Sequence, residues 1–384
     1  MINSYRIIPV YTGDVLGAAS ALYELGGMVV IHDPSGCNST YNTHDETRWY
    51  EQDSLIFISG LSEVDAILGN DDKLIRDVIF AAEEYRPAFI ALTNSPVPFL
   101  NGTDFPGIAR LIEKRTGIPA FYVPANGTHD YSVGAGEAFL SLAKVLFGGR
   151  FAGVKTPDKE AGPSGRTRIN LLGVTPLDFD AEGAVSSVRD KLSGFEILSC
   201  WSMGSTLSDL KRSCMADVNV VTSVTGLRAA QWMKTELGIP YVTGCPVGSF
   251  TNVLCEGIIK AAQAGPEQKT AEDALAGPRR KTTETAEEAP QEKTSGRKGS
   301  PAADRRGGTW LIGEPVMMMS LREHLRLSGT ADPVVINPLE TPCPGVNLMT
   351  SGEEDLQKLL SGAETVWCDP LYKPLLPKIG RAHV

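Results

Sequence analysis

The chain has 384 residues and a formal net charge of −10, and this acidic balance, with no basic stripe, argues against a nucleic-acid partner. No apolar run approaches the roughly 20 residues of a membrane-spanning helix, so no membrane association is expected. The seven cysteines are scattered without a CxxC pair, which predicts a reduced, soluble, cytoplasmic protein without a disulfide framework.

The first 155 residues alternate apolar runs of strand length with patterns of helical spacing. Such repeats predict a parallel sheet with right-handed helical crossovers, and so a first α/β domain over residues 1–155. The predicted strands are Met28 to Ile31, Ser54 to Ser59, Ala88 to Leu92 and Ala120 to Val123. The predicted helices are Leu16 to Leu25, Asp71 to Tyr85, Ile108 to Arg115 and Val133 to Phe147.

The same alternation continues over residues 156–264, which we interpret as a second α/β domain. Its predicted strands are Arg168 to Val174, Phe195 to Ser199 and Val218 to Thr222. Its predicted helices are Glu182 to Leu192, Ser205 to Lys211, Leu227 to Leu237 and Thr251 to Ala264. The stretch from Tyr241 to Ser249 is predicted to be a loop, since it carries two glycines and a proline.

Residues 265–308 change composition to Ala, Pro, Glu, Lys, Thr, Ser, Gly and Arg, which predicts a disordered linker or insertion. Residues 309–384 then complete either the second domain or a third small one. Their predicted elements are the strands Thr309 to Ile312, Pro333 to Ile336 and Thr365 to Cys368 and the helix Val316 to Leu327. The fold class is therefore α/β, with two or three doubly wound, Rossmann-like, parallel-sheet domains.

The stretch from Val29 to Tyr50 carries the strongest functional signal. Its buried strand ends in His32-Asp33-Pro34-Ser35-Gly36, and Cys37 follows directly, with His44 a few residues on. Open α/β sheets place their ligands at loops of this kind, at the carboxyl ends of the strands. The structural alternative is that Cys37 is a small buried packing residue, because free cysteine is among the most buried residue types.

Other residues carry weaker signals. Cys245 could have a lowered pKa at a helix start, or could simply be a packing residue, as could Cys255. Cys200 and Trp201 could line a crevice between domains, and the turn from Gly204 to Thr206 could contact an anion. The run Met317 to Met319 suits either a flat apolar substrate or a hydrophobic core.

Several ordered segments resemble the nitrogenase component 1 family. HDPSGC at residues 32–37, preceded by GDVLGAASAL, resembles the amino-terminal domain of that family. The resemblance extends to TNSPVPFLNGTDF, GSTLSDL, NVVTSVTGLRAAQWMKTELGIPYV and LIGEPVMM. The family includes the molybdenum-iron protein subunits, a cofactor-assembly scaffold, light-independent protochlorophyllide reductase subunits and the reductive cyclase of the nickel tetrapyrrole.

This resemblance implies an iron–sulfur cluster at a subunit interface, with Cys37 as one thiolate ligand and His32 nearby. Two expected cysteines are absent, one near Gly13 and one at Ser95. One thiolate cannot hold a cluster that needs about four ligands. The other ligands would come from a partner subunit or from groups such as Asp14, His32 or His44, or the cluster is absent.

Ser223 stands where the catalytic molybdenum-iron subunit carries a cofactor-binding cysteine, which argues against dinitrogen reduction. The resemblance implies a nitrogenase-like reductase subunit, in a homo- or heterodimer with a second component 1-like subunit, with its substrate between domains. Because the chain has no GxxxxGK[ST] motif, ATP would be bound by a separate iron–sulfur reductase. The alternative is a non-redox ligand-binding protein, or a metallocofactor or tetrapyrrole scaffold, that has lost the cluster.

Overall fold

Parallel sheets flanked by helices form the framework of the chain. The computed structural model describes residues 6–8, 12–36, 46–150, 165–179, 183–264, 308–330, 332–350, 352–376 and 382–383. Within these residues three sheets are found, and every pair of neighbouring strands in them is parallel. Cys37, His44 and nearly all of the predicted linker at 265–308 lie outside the described residues.

The first sheet has the strand order β2-β1-β3-β4, and Met28 lies opposite both Leu55 and Ile90. Its strands are β1 (Met28–His32), β2 (Leu55–Ile58), β3 (Ile90–Asn94) and β4 (Ala120–Tyr122). The helices of this region are α1 (Asp14–Leu22), α2 (Glu63–Leu68), α3 (Asp71–Tyr85), α4 (Pro96–Leu100), α5 (Phe105–Thr116) and α6 (Tyr131–Phe147).

The second sheet has the order β6-β5-β7-β8. Its strands are β5 (Arg168–Val174), β6 (Glu196–Ser202), β7 (Val218–Val221) and β8 (Tyr241–Thr243). Its helices are α7 (Ala184–Lys191), α8 (Leu207–Lys211), α9 (Leu227–Leu237) and α10 (Phe250–Ala264). The prediction of a loop from Tyr241 onward was wrong at its start, because three residues pair there with β7.

The carboxyl-terminal elements form a third sheet, in the order β11-β10-β9-β12-β13. They are β9 (Thr309–Ile312), α11 (Pro315–Leu327), β10 (Val334–Asn337), β11 (Leu348–Met349), α12 (Glu353–Leu360), β12 (Thr365–Cys368) and β13 (Ala382–His383). Of the two alternatives for this region, the structure has the separate sheet. The predicted fold class is confirmed, whereas the exact domain boundaries remain predictions.

The strands β1 and β5 are buried at every residue, as expected for parallel sheets that are covered on both faces. One apolar core joins the first two sheets, since Ala18 of α1, Ala138 of α6 and Ala230 of α9 belong to the same buried cluster. The third sheet packs on the second through Leu311 and Val335, which share a cluster with the second sheet. The chain therefore brings the strand ends of different sheets close together.

Helices α1 and α6 cross in backbone contact. A Cβ atom on Gly134 would lie 1.8 Å from the carbonyl oxygen of Asp14, and one on Gly17 would lie 2.3 Å from that of Tyr131. Only glycine permits so close an approach at these two positions. The crossing fixes the start of α6, and with it Tyr131, relative to the first sheet.

Among the described residues, no helix combines the length and hydrophobicity that a membrane span requires.

Candidate functional site

A cavity of about 320 Å³ lies between the regions built on the three sheets. The loops after β5, β9 and β10, the end of β12 and the start of α6 all contribute to its wall. Carboxyl ends of parallel strands are where α/β proteins bind ligands, because the strands hold the loops rigidly. This cavity is therefore the first candidate site, and we call it the central cavity.

Asp178 is one of two acids in the wall of the central cavity, and hydrogen bonds fix the orientation of both. It lies in the turn after β5 and is half-buried. The hydroxyl of Ser223 donates to its Oδ2 at 2.6 Å, and the hydroxyl of Tyr131 donates to its Oδ1. Loss of hydration raises the pKa of Asp178, although both hydroxyl donors oppose that shift. Ser223 thus positions an acid at this site instead of supplying a thiolate.

Glu314 is the second such acid, and it caps the amino terminus of α11. Its Oε1 accepts from the backbone N–H of Val224 at 2.7 Å, and its Oε2 accepts from that of Met317 at 2.7 Å. Loss of hydration raises the pKa of Glu314, and the negative charge of Asp178 raises it further. The two carboxyl groups are held by neutral donors, so they form an acid pair that can store a proton near neutral pH.

The remaining wall is mainly apolar, with Met317, Met318 and Leu321 from α11 and Trp367 at the end of β12. Of the three methionines singled out from sequence, Met317 and Met318 face the cavity and Met319 is buried in the core. Cys368 also lines the cavity, where partial burial, and secondarily Asp369, raises the pKa of its thiol to about 11. This thiol is therefore protonated at neutral pH.

A second candidate site lies at the ends of β1 and β3, and we call it the strand-end site. The backbone N–H of Ser95 donates to the carbonyl oxygen of His32 at 3.1 Å, so the structure brings these two predicted residues together. Nδ1 of His32 lies 2.7 Å from Oγ of Ser59, and burial lowers the pKa of His32 to about 4. The imidazole is therefore neutral at physiological pH.

The hydroxyl of Ser95 is the exceptional group of the strand-end site. It is buried, and no hydrogen-bond partner is found for it among the described residues. Asp14, also buried, accepts from the backbone N–H groups of Asn126 at 3.1 Å and Gly127 at 2.7 Å. Burial raises the pKa of Asp14 despite these donors. Its carboxylate is thus occupied, whereas the Ser95 hydroxyl is not.

An iron–sulfur cluster needs about four ligands, and the strand-end site offers few of them. Gly13 offers no side chain, Ser95 offers a hydroxyl, and the His32 Nδ1 already has a partner. The described part of the chain holds no group of three or more His, Cys, Asp or Glu side chains that could bind a metal ion. Cys37 directly follows the described Gly36. The described residues of the strand-end site therefore do not supply the ligands of a whole cluster.

The structure gives structural roles to several weaker candidates. Burial raises the pKa of Cys245 to about 12, so the alternative of a packing residue is favoured over that of an activated thiol. Cys200 and Trp201 are fully buried in the core and do not line a crevice. In the turn at Gly204, the backbone N–H donates to Glu24 at 2.7 Å, and Thr206 forms a capping box with Asp209, so these groups do not await an anion.

Sequence reasoning missed Asp178, Glu314 and Tyr131 as site residues. Asp178 follows β5 by a few residues and Glu314 follows β9 in the same way, so each lies in a loop at a carboxyl strand end. An acidic residue in a loop that follows a predicted strand is the sequence feature by which both carboxylates could have been found. Tyr131, the first residue of α6, carried no comparable signal.

Comparison with known proteins gives one family. Residues 14–304 match the model of the family described as "Nitrogenase component 1 type Oxidoreductase". The nitrogenase iron-molybdenum cofactor biosynthesis protein NifE of Methanosarcina barkeri is 24% identical over 221 residues, which are 56% of this chain and 46% of that protein. A subunit of the light-independent protochlorophyllide reductase of Rhodopseudomonas palustris strain TIE-1 is 31% identical over 140 residues, 35% of this chain and 26% of that relative.

A solved structure titled "Nitrogenase Cp1 at pH 6.5" superposes with a TM-score of 0.56 at 16% identity, covering 88% of this chain and 64% of that one, and so supports the fold. The matches to the two curated relatives span less than half of each relative's length. The resemblance read from the sequence motifs is confirmed. The chain belongs to the nitrogenase component 1 type oxidoreductase family.

Proposed function

We propose that the chain is a subunit of a nitrogenase-like reductase, which takes electrons from an ATP-dependent iron–sulfur reductase and delivers them to a substrate in the central cavity. The observation that carries the proposal is the acid pair Asp178 and Glu314 in a cavity between the three sheets, in a chain of this family. Reduction of most substrates consumes protons together with electrons, and acids with raised pKa values supply protons near neutral pH.

The residues around the acid pair have definable tasks in this proposal. Tyr131 and Ser223 hold the carboxyl group of Asp178 in one orientation, and the start of α11 does the same for Glu314. The apolar wall limits water around the substrate, which strengthens electrostatic interactions inside the cavity. Because residue 223 is a serine, the chain has no thiolate there to anchor a metal cofactor, and the proposed substrate is not dinitrogen.

Cys37 is the thiolate that this chain would contribute to an iron–sulfur cluster, and a partner subunit would contribute the other thiolates. Such a cluster supplies one-electron transfer at low potential when bound. Ser95 supports this placement, since its buried hydroxyl has no partner among the described residues. His32, neutral and fixed by Ser59, would tune the surroundings of the cluster without adding charge.

Exposed apolar side chains near the strand-end site support a partner subunit there. Ile67 and Leu68 of α2 are 76% and 75% exposed, and Leu100 of α4 is 80% exposed. The side chain of Asn101 donates to the carbonyl oxygen of Ala66 at 2.7 Å, which keeps the two helices together. Apolar patches of this kind commonly mark protein–protein interfaces. The proposal therefore places the second subunit on the α2–α4 face.

The test is iron and sulfide analysis of the protein purified without oxygen together with its partner subunit. We expect bound iron in the wild type, loss of most of it in Cys37→Ser, and retention in Cys214→Ser, because an alcohol is a far poorer ligand than a thiolate. Cys214 is a suitable control because its thiol is buried against the carbonyl oxygen of Lys211, away from both candidate sites. Cys368 is less suitable because it lines the central cavity.

A second candidate function is a non-redox ligand-binding protein, or a scaffold for a metallocofactor or tetrapyrrole, that has lost the cluster. Gly13 and Ser95, which stand where the family resemblance implies cysteines, favour it. An iron-free wild-type complex after anaerobic reconstitution would overturn the reductase proposal and support this alternative.

A further inference from the structure

We infer that the central cavity selects a small, mainly apolar ligand that carries a positive charge, such as an organic amine, and that it rejects anions. The inference takes the location of the site from the proposed function and adds the chemical class of its ligand. It depends on three properties of the cavity: its size, its aromatic wall and the sign of its charge.

The size and the wall indicate a small apolar ligand. A volume of about 320 Å³ is near the lower end of the roughly 300–1,000 Å³ of small-molecule pockets. Three aromatic side chains contribute to the wall, namely Tyr131, Trp367 and Tyr372, alongside the methionines of α11. The faces of aromatic rings attract cations, and the interaction strengthens when the cation leaves water.

The charged side chains among the described residues of the wall are all acidic. Asp178 and Glu314 lie inside the cavity, and Asp369 is an exposed third acid among the lining residues. Of the residues that line the cavity, all within the described part of the chain, none is Lys, Arg or His. Among the described residues, the hydrogen bonds to Asp178 and Glu314 come from hydroxyl and backbone N–H groups, which carry no positive charge.

Carboxylates in a site of limited hydration need a balancing charge, and a proton or a cationic ligand can provide it. A carboxylate ligand would add a like charge beside two acids, with no cationic side chain in the lining to offset it. A tetrapyrrole bearing several carboxylates is disfavoured for the same reason. The charge of a ligand therefore decides more strongly than its shape whether it binds in the cavity.

The test is a set of three small aromatic probes of different charge, namely benzyltrimethylammonium, benzyl alcohol and benzoate. Their binding to the protein is measured by isothermal titration calorimetry and by tryptophan fluorescence, to which Trp367 in the cavity wall contributes. We expect benzyltrimethylammonium to bind about ten-fold more tightly than benzyl alcohol, a difference that corresponds to about 1.4 kcal/mol. Benzoate should not displace benzyltrimethylammonium from the protein.

Variants assign the preference to the acid pair. The double variant Asp178→Asn/Glu314→Gln removes the negative charge of the pair whichever carboxyl group holds the proton, and it should lower the affinity for the cation about ten-fold and leave that for benzyl alcohol unchanged. Asp355→Asn removes an exposed charge on α12, away from the cavity, and should change neither affinity. If a cavity variant does not fold, the order of the three probes on the wild-type protein still decides.

Equal binding of the three probes, or binding of benzoate as tight as that of the cation, would overturn the inference. So would an unchanged cation affinity in a folded Asp178→Asn/Glu314→Gln protein. These measurements need neither iron nor a reductase. Failure of the charge preference is therefore distinguishable from failure of the proposed reductase function, which is judged by iron content.

Discussion

Helices α1 and α6 cross so closely that one added methyl group at Gly134 is expected to destabilise the fold. The Cβ of Gly134→Ala would lie 1.8 Å from the carbonyl oxygen of Asp14 and 2.4 Å from its carbonyl carbon. Both are backbone atoms, so no rotamer change relieves the clash and the two helices must move apart. Because Tyr131 lies one turn earlier in α6, its bond to Asp178 should weaken as well.

Gly136→Ala is the matched control in the same helix. Its Cβ would lie 3.5 Å from the carbonyl oxygen of Thr225, an ordinary contact. Alanine is more favourable than glycine in a helix interior by about 0.8–1.0 kcal/mol, and both variants gain that amount. Overpacking costs about 1–3 kcal/mol, and an immovable backbone contact belongs at the upper end. Gly134→Ala should therefore lower the free energy of unfolding by about 2 kcal/mol, and Gly136→Ala should raise it by up to about 1 kcal/mol.

The assay is guanidinium chloride unfolding followed by tryptophan fluorescence and far-UV circular dichroism. The expected gap between the two variants is about 3 kcal/mol, which the midpoints resolve when the slopes agree. Equal midpoints for the two variants, or a Gly134→Ala protein more stable than the wild type, would refute the close crossing.

Three further predictions concern stability. Burial holds the pKa of His32 at about 4, below its ordinary 6.5, so the unfolded state binds the proton first as the pH falls. As the pH falls from 6.5 to 4, His32 should lower the free energy of unfolding of the wild type by up to about 3 kcal/mol. Urea unfolding at several pH values should not show this decrease in His32→Gln. The guanidinium of Arg48 lies 2.7 Å from the carboxylate of Glu46 and 2.8 Å from that of Glu24. Arg48→Met removes it and should lower the free energy of unfolding by about 3–5 kcal/mol, and adding Glu46→Leu should restore part of that loss. Replacing residues 265–308 by a short Gly/Ser linker should leave the thermal midpoint unchanged, since their composition cannot bury a core.

Elements with strong local patterns were predicted from sequence. Asp71–Tyr85 and Leu227–Leu237 have apolar residues at helical spacing, and both helices have the predicted bounds. The strand Tyr241–Thr243 was missed because three residues are too few to separate a strand from a loop by periodicity. The helix Glu353–Leu360 was missed although its acidic first turn is a typical start signal.

More of the strand-end site than of the central cavity could be predicted from the sequence. His32 ends β1 and Ser95 directly follows β3, the neighbouring strand of the same sheet, so a prediction of strand order alone brings them close. Asp178 and Glu314 belong to different sheets, and their meeting depends on how the second and third sheets pack. That packing is set by contacts distant in sequence, such as those of Leu311 and Val335 with the second-sheet core, which no local pattern encodes.

The most direct test of the account is the electron paramagnetic resonance spectrum of the complex purified without oxygen, recorded with a purified ATP-dependent iron–sulfur reductase from the same organism. We expect a signal of a reduced iron–sulfur cluster that requires MgATP, disappears in Cys37→Ser and persists in Cys214→Ser. A spectrum without any cluster signal, or one that Cys37→Ser leaves intact, would contradict it.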